Sequence, residues 1–191
     1  MPSHLPAEVR RRLEPIRLLV LDVDGVLTDG MLVYTSQGEE RKRFCVRDGL
    51  IVRLLQQSGV EVAALSGRTS EAVSLRLSEL GVKPELIIQG SRDKARDLDT
   101  LAERAGVRTD EAAAMGDDLP DLPMLARVGF SACPADAAPE VAVACHLVCG
   151  TQGGHGAVRE LGELILKAQG KWAQLVAPWL PGHEDEPQGR E

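Results

Sequence analysis

A chain of 191 residues can bury one full hydrophobic core, so a single domain is the default. A formal net charge of −7 argues against a nucleic-acid-binding surface, although a local cation can still reverse the field inside a cleft. Only 3% of the residues are aromatic, which leaves Leu, Val, Ile and Ala to build the core, and no apolar run is long enough to cross a bilayer.

Met1 to Arg17 lacks the apolar stretch of a signal peptide, and the four cysteines read as ordinary buried thiols, so the expected location is the cytoplasm, away from membranes. Cys145 and Cys149 bracket His146, but no second ligand pair completes a zinc site. Within an arm spanning residues 1–16, Pro6 to Glu14 predicts a short Arg-rich helix, solvated or packed on a neighbour. The main domain, residues 17–170, opens on Leu18-Leu19-Val20-Leu21-Asp22-Val23-Asp24-Gly25. This is a buried strand ending in two carboxylates and a turn.

Met31 to Tyr34 and Glu39 to Phe44 flank Thr35-Ser36-Gln37-Gly38 and predict a β-hairpin flap over about 30–44. Asp48 is placed as the N-cap of a helix that runs to Gly59. Further strands are expected at Val60 to Leu65, Leu86 to Ile88, Ala112 to Met115, Phe130 to Ala132 and Leu147-Val148, with helices between them. Ala157 to Gln169 is an amphipathic closing helix. Residues 171–191 form a tail, and from Pro178 onward it is rich in Pro, Gly and acids and is expected to be disordered. Alternating strands and helices with short links predict an α/β fold: a doubly wound, mainly parallel sheet in three layers, Rossmann-like, with no separate cap domain.

In such a sheet the strand ends share one edge, where ligands bind. Asp22 and Asp24, Ser66, Lys94, and Asp117 with Asp118 all follow strands. Phosphoryl transfer asks for this set. Carboxylates can hold Mg²⁺, one can attack phosphorus, and another can manage the proton. A Lys and a hydroxyl balance the phosphate oxygens.

Asp22-Val23-Asp24-Gly25-Val26-Leu27-Thr28, Ser66-Gly67-Arg68, Lys94 and Gly116-Asp117-Asp118 resemble the four motifs of the haloacid dehalogenase superfamily. The resemblance implies Asp22 as nucleophile, Asp24 as general acid/base, Ser66 as phosphate binder and Lys94 as charge stabiliser. It also implies Mg²⁺ held by Asp22, Asp117 and the Asp24 carbonyl, with Asp118 (facing Lys94) and Asp121 behind these ligands. An acid at position 24 fits the superfamily's phosphatases best.

Val46-Arg47-Asp48-Gly49, Gln89-Gly90, Asp93-Lys94, Asp117-Asp118-Leu119-Pro120-Asp121 and Gly153-Gly154-His155-Gly156-Ala157-Val158-Arg159-Glu160 add a narrower likeness. Jointly the chain resembles the 3-deoxy-D-manno-octulosonate 8-phosphate phosphatase family, departing from it at Cys45 and in a longer tail. That implies a sugar-acid phosphate substrate, a role in lipopolysaccharide precursor synthesis and a homotetramer. Thr28, Gly67, Arg47, Arg68, Arg76 and Arg159 are the candidate substrate contacts; the arginines suit a carboxylate but could equally be solvated helix surface.

The glycines before Arg159 are not a dinucleotide loop, since the third glycine of that fingerprint is missing. Too few residues separate the motifs for a cap domain, so the hairpin and Gly153 to Arg159, supplied by adjacent protomers, are expected to cover the site. A phosphatase of a nine-carbon sialic-type acid 9-phosphate and a phosphate-accepting receiver domain stand as alternatives.

Overall fold

A computed structural model describes residues 6–36 and 40–181. Six strands form one sheet: β1 (Leu18–Leu21), β4 (Glu61–Ser66), β5 (Ile87–Gln89), β6 (Ala112–Met115), β7 (Phe130–Cys133) and β8 (Leu147–Val148). Their order is β5-β4-β1-β6-β7-β8 and every pairing is parallel. A strand buried on both faces can be apolar at every position, and β1 is. Alternate residues point to opposite faces. Leu19 and Leu21 pack with α1 (Ala7–Leu13), α2 (Val46–Gln57), α3 (Glu71–Glu79) and α7 (Ala157–Ala168). Leu18 and Val20 pack with α4 (Lys94–Ala105), α5 (Leu122–Leu125) and α6 (Pro139–Ala144). The result is the expected three-layer Rossmann-like fold.

The flap is present as a small separate sheet, β2 (Val33–Tyr34) paired antiparallel with β3 (Glu40–Arg41). Residues 37–39, which include Gln37 and Gly38 of its turn, lie outside the described residues.

Three expectations change. The N-terminal helix is not a detached arm, because Leu13 and Ile16 are fully buried in the core. Asp48 does not cap α2. Cys45 occupies that place, and Asp48 sits one turn in, buried, with Oδ1 accepting from Arg159 N at 2.7 Å. It joins the N-termini of α2 and α7, where a carboxylate meets unpaired N–H groups. The start of the C-terminal segment is helical: α8 (Trp172–Val176) sets Trp172 and Leu175 against the core. Residues 182–191 lie outside the described residues. Among the described residues no helix is long and apolar enough to cross a membrane.

Candidate active site

The chain leaves β1 at Asp22 and turns at once. Val23 O accepts from the N–H groups of Val26, Leu27 and Thr28, and Gly25 holds φ +92°, a conformation few side chains tolerate. Thr28 belongs to this turn rather than to the open cleft. It is buried, donates to Val23 O at 3.3 Å and accepts from Gly30 N at 3.2 Å. The turn parts the two acids, so they do not point the same way. Asp22 points inward and is 5% exposed, whereas the Asp24 carboxylate stays at the rim.

At the floor, Lys94 Nζ lies 2.7 Å from Asp22 Oδ1 and 2.5 Å from Asp121 Oδ1. The α4 N-cap Asp93 fixes the start of the helix that carries Lys94 by accepting from Arg96 N. Asp121, not Asp118, is the acid that faces Lys94. Pro120 opens a single 3₁₀ turn over Leu119–Asp121 that rotates Asp121 inward, where Oδ2 accepts from Asp117 N at 3.0 Å and Asp118 N at 3.2 Å. Asp118 is exposed and caps that turn through Leu119 N at 2.8 Å. Asp117 lies against Gly25 so closely that a Cβ there would stand 2.1 Å from Asp117 Oδ2.

Carboxylate oxygens of Asp22, Asp117 and Asp121 lie within 4.8 Å of one another. Lys94 is the cation bonded to this cluster, and the cost shows in the acids. Burial, then the Asp121 charge, pushes Asp22 up to about 6 against the pull of Lys94. Burial, then Asp22, Asp121 and Asp118, pushes Asp117 up to about 8. Burial works against the charge on Lys94, but Asp22 and Asp121 outweigh it and hold its pKa above the ordinary lysine value. An all-oxygen donor set short of positive charge fits a hard divalent cation such as Mg²⁺.

At the rim, Lys42, just past β3, forms an ion pair with Asp24, and Arg68 Nε approaches the other Asp24 oxygen at 3.7 Å. Arg68 also donates to Tyr34 Oη at 2.8 Å. Ser66 is buried at the end of β4, its Oγ accepting from Arg68 N at 3.2 Å, with Gly67 exposed between them. The flap therefore reaches the site of its own chain. Gly153 and Gly154 likewise seat on Gly25 to Asp29 of the same chain, with Gly154 N donating to Val26 O at 2.9 Å. The flap follows the turn after β1 by a few residues, whereas Gly153 and Gly154 lie on the segment that leads from β8, at the sheet edge, back to α7.

The other arginines turn elsewhere. Arg47 donates to His155 O at 2.6 Å, and Arg76 pairs with Glu79 at 3.3 Å and packs against Gly49. Arg159 bonds Glu163 at 2.6 Å and lies 5.1 Å over the Trp172 ring. His155 bonds Gly153 O through Nδ1, and His146 bonds Ser131 and stacks on Phe130. Sequence reasoning missed Lys42, one base among three in Arg41-Lys42-Arg43, and put Asp118 in the place of Asp121.

A parallel sheet that delivers Asp22, Ser66, Lys94 and Asp117 to one edge defines a haloacid dehalogenase-like hydrolase, and the profile of that family matches residues 85–161. The 3-deoxy-D-manno-octulosonate 8-phosphate phosphatase of Haemophilus influenzae is 44% identical over 163 residues, 85% of this chain and 89% of that one. The crystal structure of the same phosphatase from Moraxella catarrhalis, in complex with magnesium ion, phosphate ion and KDO, superposes with a TM-score of 0.87 at 39% identity. It covers 91% of this chain and 98% of that chain. The Yersinia pestis phosphatase gives a TM-score of 0.85 at 40% identity over 88% and 90%. The chain belongs to the 3-deoxy-D-manno-octulosonate 8-phosphate phosphatase family.

Proposed function

We propose that this chain is a Mg²⁺-dependent phosphomonoester hydrolase that converts 3-deoxy-D-manno-octulosonate 8-phosphate into 3-deoxy-D-manno-octulosonate and phosphate. The observation that carries the reading is the buried Asp22–Lys94–Asp121 network with Asp117 beside it, in a chain 44% identical to such a phosphatase. Asp22, Asp117 and the Asp24 carbonyl hold Mg²⁺ in this reading, with Asp121 supporting them. Bound there, the ion neutralises phosphate oxygens and lets an anionic nucleophile approach an anionic substrate.

Asp22 Oδ attacks phosphorus in line with the sugar oxygen, forming an aspartyl phosphate as the P–O bond to the sugar breaks. Asp24 gives its proton to the leaving alkoxide and then takes one from the water that splits the acyl phosphate. Lys94 holds Asp22 in place and, with Ser66 Oγ, balances the charge on the equatorial oxygens. Arg68, on the same side as Asp24, suits the substrate carboxylate, and Gly67 leaves its backbone open to the phosphate. Arg47, Arg76 and Arg159, bonded as described, would have to exchange those partners to reach a substrate.

Phosphate release from the eight-carbon 8-phosphate and a nine-carbon sialic-type 9-phosphate, with and without Mg²⁺, tests the reading. Higher kcat/KM on the former, lost on chelation, is expected; preference for the latter, or Mg²⁺-independent release, overturns it. The same proposal puts the activity in lipopolysaccharide precursor synthesis in the cytoplasm, where four free thiols are at home. It also includes a homotetramer, for which exposed Met31, Val33, Tyr34 and Val46 around the flap offer an apolar surface. A fully active monomer in sedimentation would refute that part.

A further inference from the structure

The turn Gly150 to Gly156 does more than lead into α7. Gly153 lies so close to the loop after β1 that a Cβ on it would stand 1.7 Å from Gly25 O. Gly25 is also in close contact with the Asp117 carboxylate, 2.1 Å from where a Cβ on Gly25 would stand. Both a metal-cluster acid and Gly153 therefore press closely on Gly25. Gly154 N, donating to Val26 O at 2.9 Å, fixes the next peptide as well.

The turn is anchored from outside. Asp136 Oδ1 accepts from Gly153 N at 3.0 Å, and Ala135 N donates to Thr151 O at 3.0 Å. Glu160 accepts from Gly150 N and Thr151 Oγ1 at 3.0 and 2.8 Å. The loop that carries Asp136 also donates from Ala138 N to Asp117 O at 2.8 Å. One loop thus fixes Asp117 directly and, through Gly153, the peptide that faces it.

We propose that the Gly150–Gly156 turn is a positioning element for the cation site, with Asp136 as its anchoring residue. It sets the spacing between the Asp22–Asp24 backbone and Asp117, and through that spacing the affinity for Mg²⁺. The inference rests on the reading of this cluster as a Mg²⁺ site. Mg²⁺ demands near-ideal octahedral geometry with ligand distances of about 2.0–2.1 Å, so small displacements of one ligand relative to another cost affinity. Hydrogen-bonded supports behind metal ligands act in this way.

Calorimetric titration of the full chain with Mg²⁺ tests it. Asp136→Ala is expected to weaken Mg²⁺ binding by about 10-fold or more, with a matching rise in half-saturating Mg²⁺ for phosphate release. At saturating Mg²⁺ its kcat recovers. Asp136→Asn keeps an acceptor oxygen and is expected to bind Mg²⁺ like the wild type. Gly153→Ala, whose methyl must displace Gly25, is expected to lose more than Asp136→Ala. Wild-type affinity in Asp136→Ala overturns the proposal. So does an Asp136→Asn as weak as Asp136→Ala, which would assign the effect to lost charge rather than to the hydrogen bond. If Gly153→Ala does not fold, the two Asp136 variants still decide. Failure of the wild type itself to bind Mg²⁺ would overturn the reading of the site, a different outcome from tight binding in all three variants.

Discussion

The floor of the cleft and its rim are built on different parts of the chain. Asp22, Lys94, Asp117 and Asp121 stand at or just past the ends of β1 and β6 and at the start of α4, held by the sheet and by backbone N–H groups. Lys42 and Tyr34 come from a two-stranded flap outside the main sheet and meet Asp24 and Arg68 at the rim, the Lys42 side chain buried and Tyr34 exposed. Groups that must keep sub-ångström geometry sit on rigid elements, while groups that recognise a variable sugar sit on a short attachment. The floor should then govern the nucleophile, the metal and stability, and the flap residues that reach the rim chiefly substrate affinity.

The largest effect should come from Asp22→Asn, which removes the nucleophile but keeps the shape. Its kcat is expected to fall by roughly 10⁴-fold or more, with no burst of phosphoenzyme. Retained turnover would break the assignment of the floor. Asp121→Ala comes next. It strips Lys94 of one carboxylate and leaves the N–H groups of Asp117 and Asp118 without their acceptor. The unfolding free energy in chelator is expected to drop by about 2–4 kcal/mol, read from denaturant titration.

The floor was largely legible in the sequence, because a run such as Leu18 to Leu21, too short for a globular helix and followed by the turn at Gly25, reads as a strand buried on both faces. The rim was not. Lys42 meets Asp24 from 18 residues away, through a hairpin whose packing no local pattern encodes. Asp48 was misread for a related reason. A first-turn acid looks like a cap, but its partner, Arg159 N, is 111 residues distant. Asp117, Asp118 and Asp121 are equivalent as a string. Only the 3₁₀ turn opened by Pro120 decides which of them faces Lys94. The arginines show the limit most plainly: the Arg159–Glu163 pair is a local i,i+4 contact, but the place of Arg159 over Trp172 and that of Arg68 at Asp24 are tertiary.

Lys42→Ala sharpens the division from the other side. Losing Lys42 removes one ion pair of Asp24, whose other oxygen Arg68 still approaches, so the unfolding midpoint should stay close to wild type. KM for the sugar-acid phosphate is expected to rise by about 3–10-fold, with kcat changing less. A fall in stability as large as that of Asp121→Ala would mean that rim and floor are one unit.

The smallest effect is a slope. Burial and neighbouring acids push Asp22 up to about 6 and Asp117 up to about 8, above the ordinary carboxylate range. The folded state therefore binds more protons than the unfolded chain from the ordinary carboxylate value of 3.8 up to about 8. Stability rises with pH only where the unfolded state holds more protons, so here it must fall. These acids weigh least on the fold at low pH, where both are protonated, and most above about 8. Mg²⁺ binding has to expel the same protons, so the stabilisation it gives should grow over the same interval. Thermal unfolding in chelator and in saturating Mg²⁺, each across that pH range, should diverge steadily. Lys42→Ala should leave the divergence intact and Asp121→Ala should reduce it, because Asp121, after burial, helps raise both acids and Lys42 acts only at the rim.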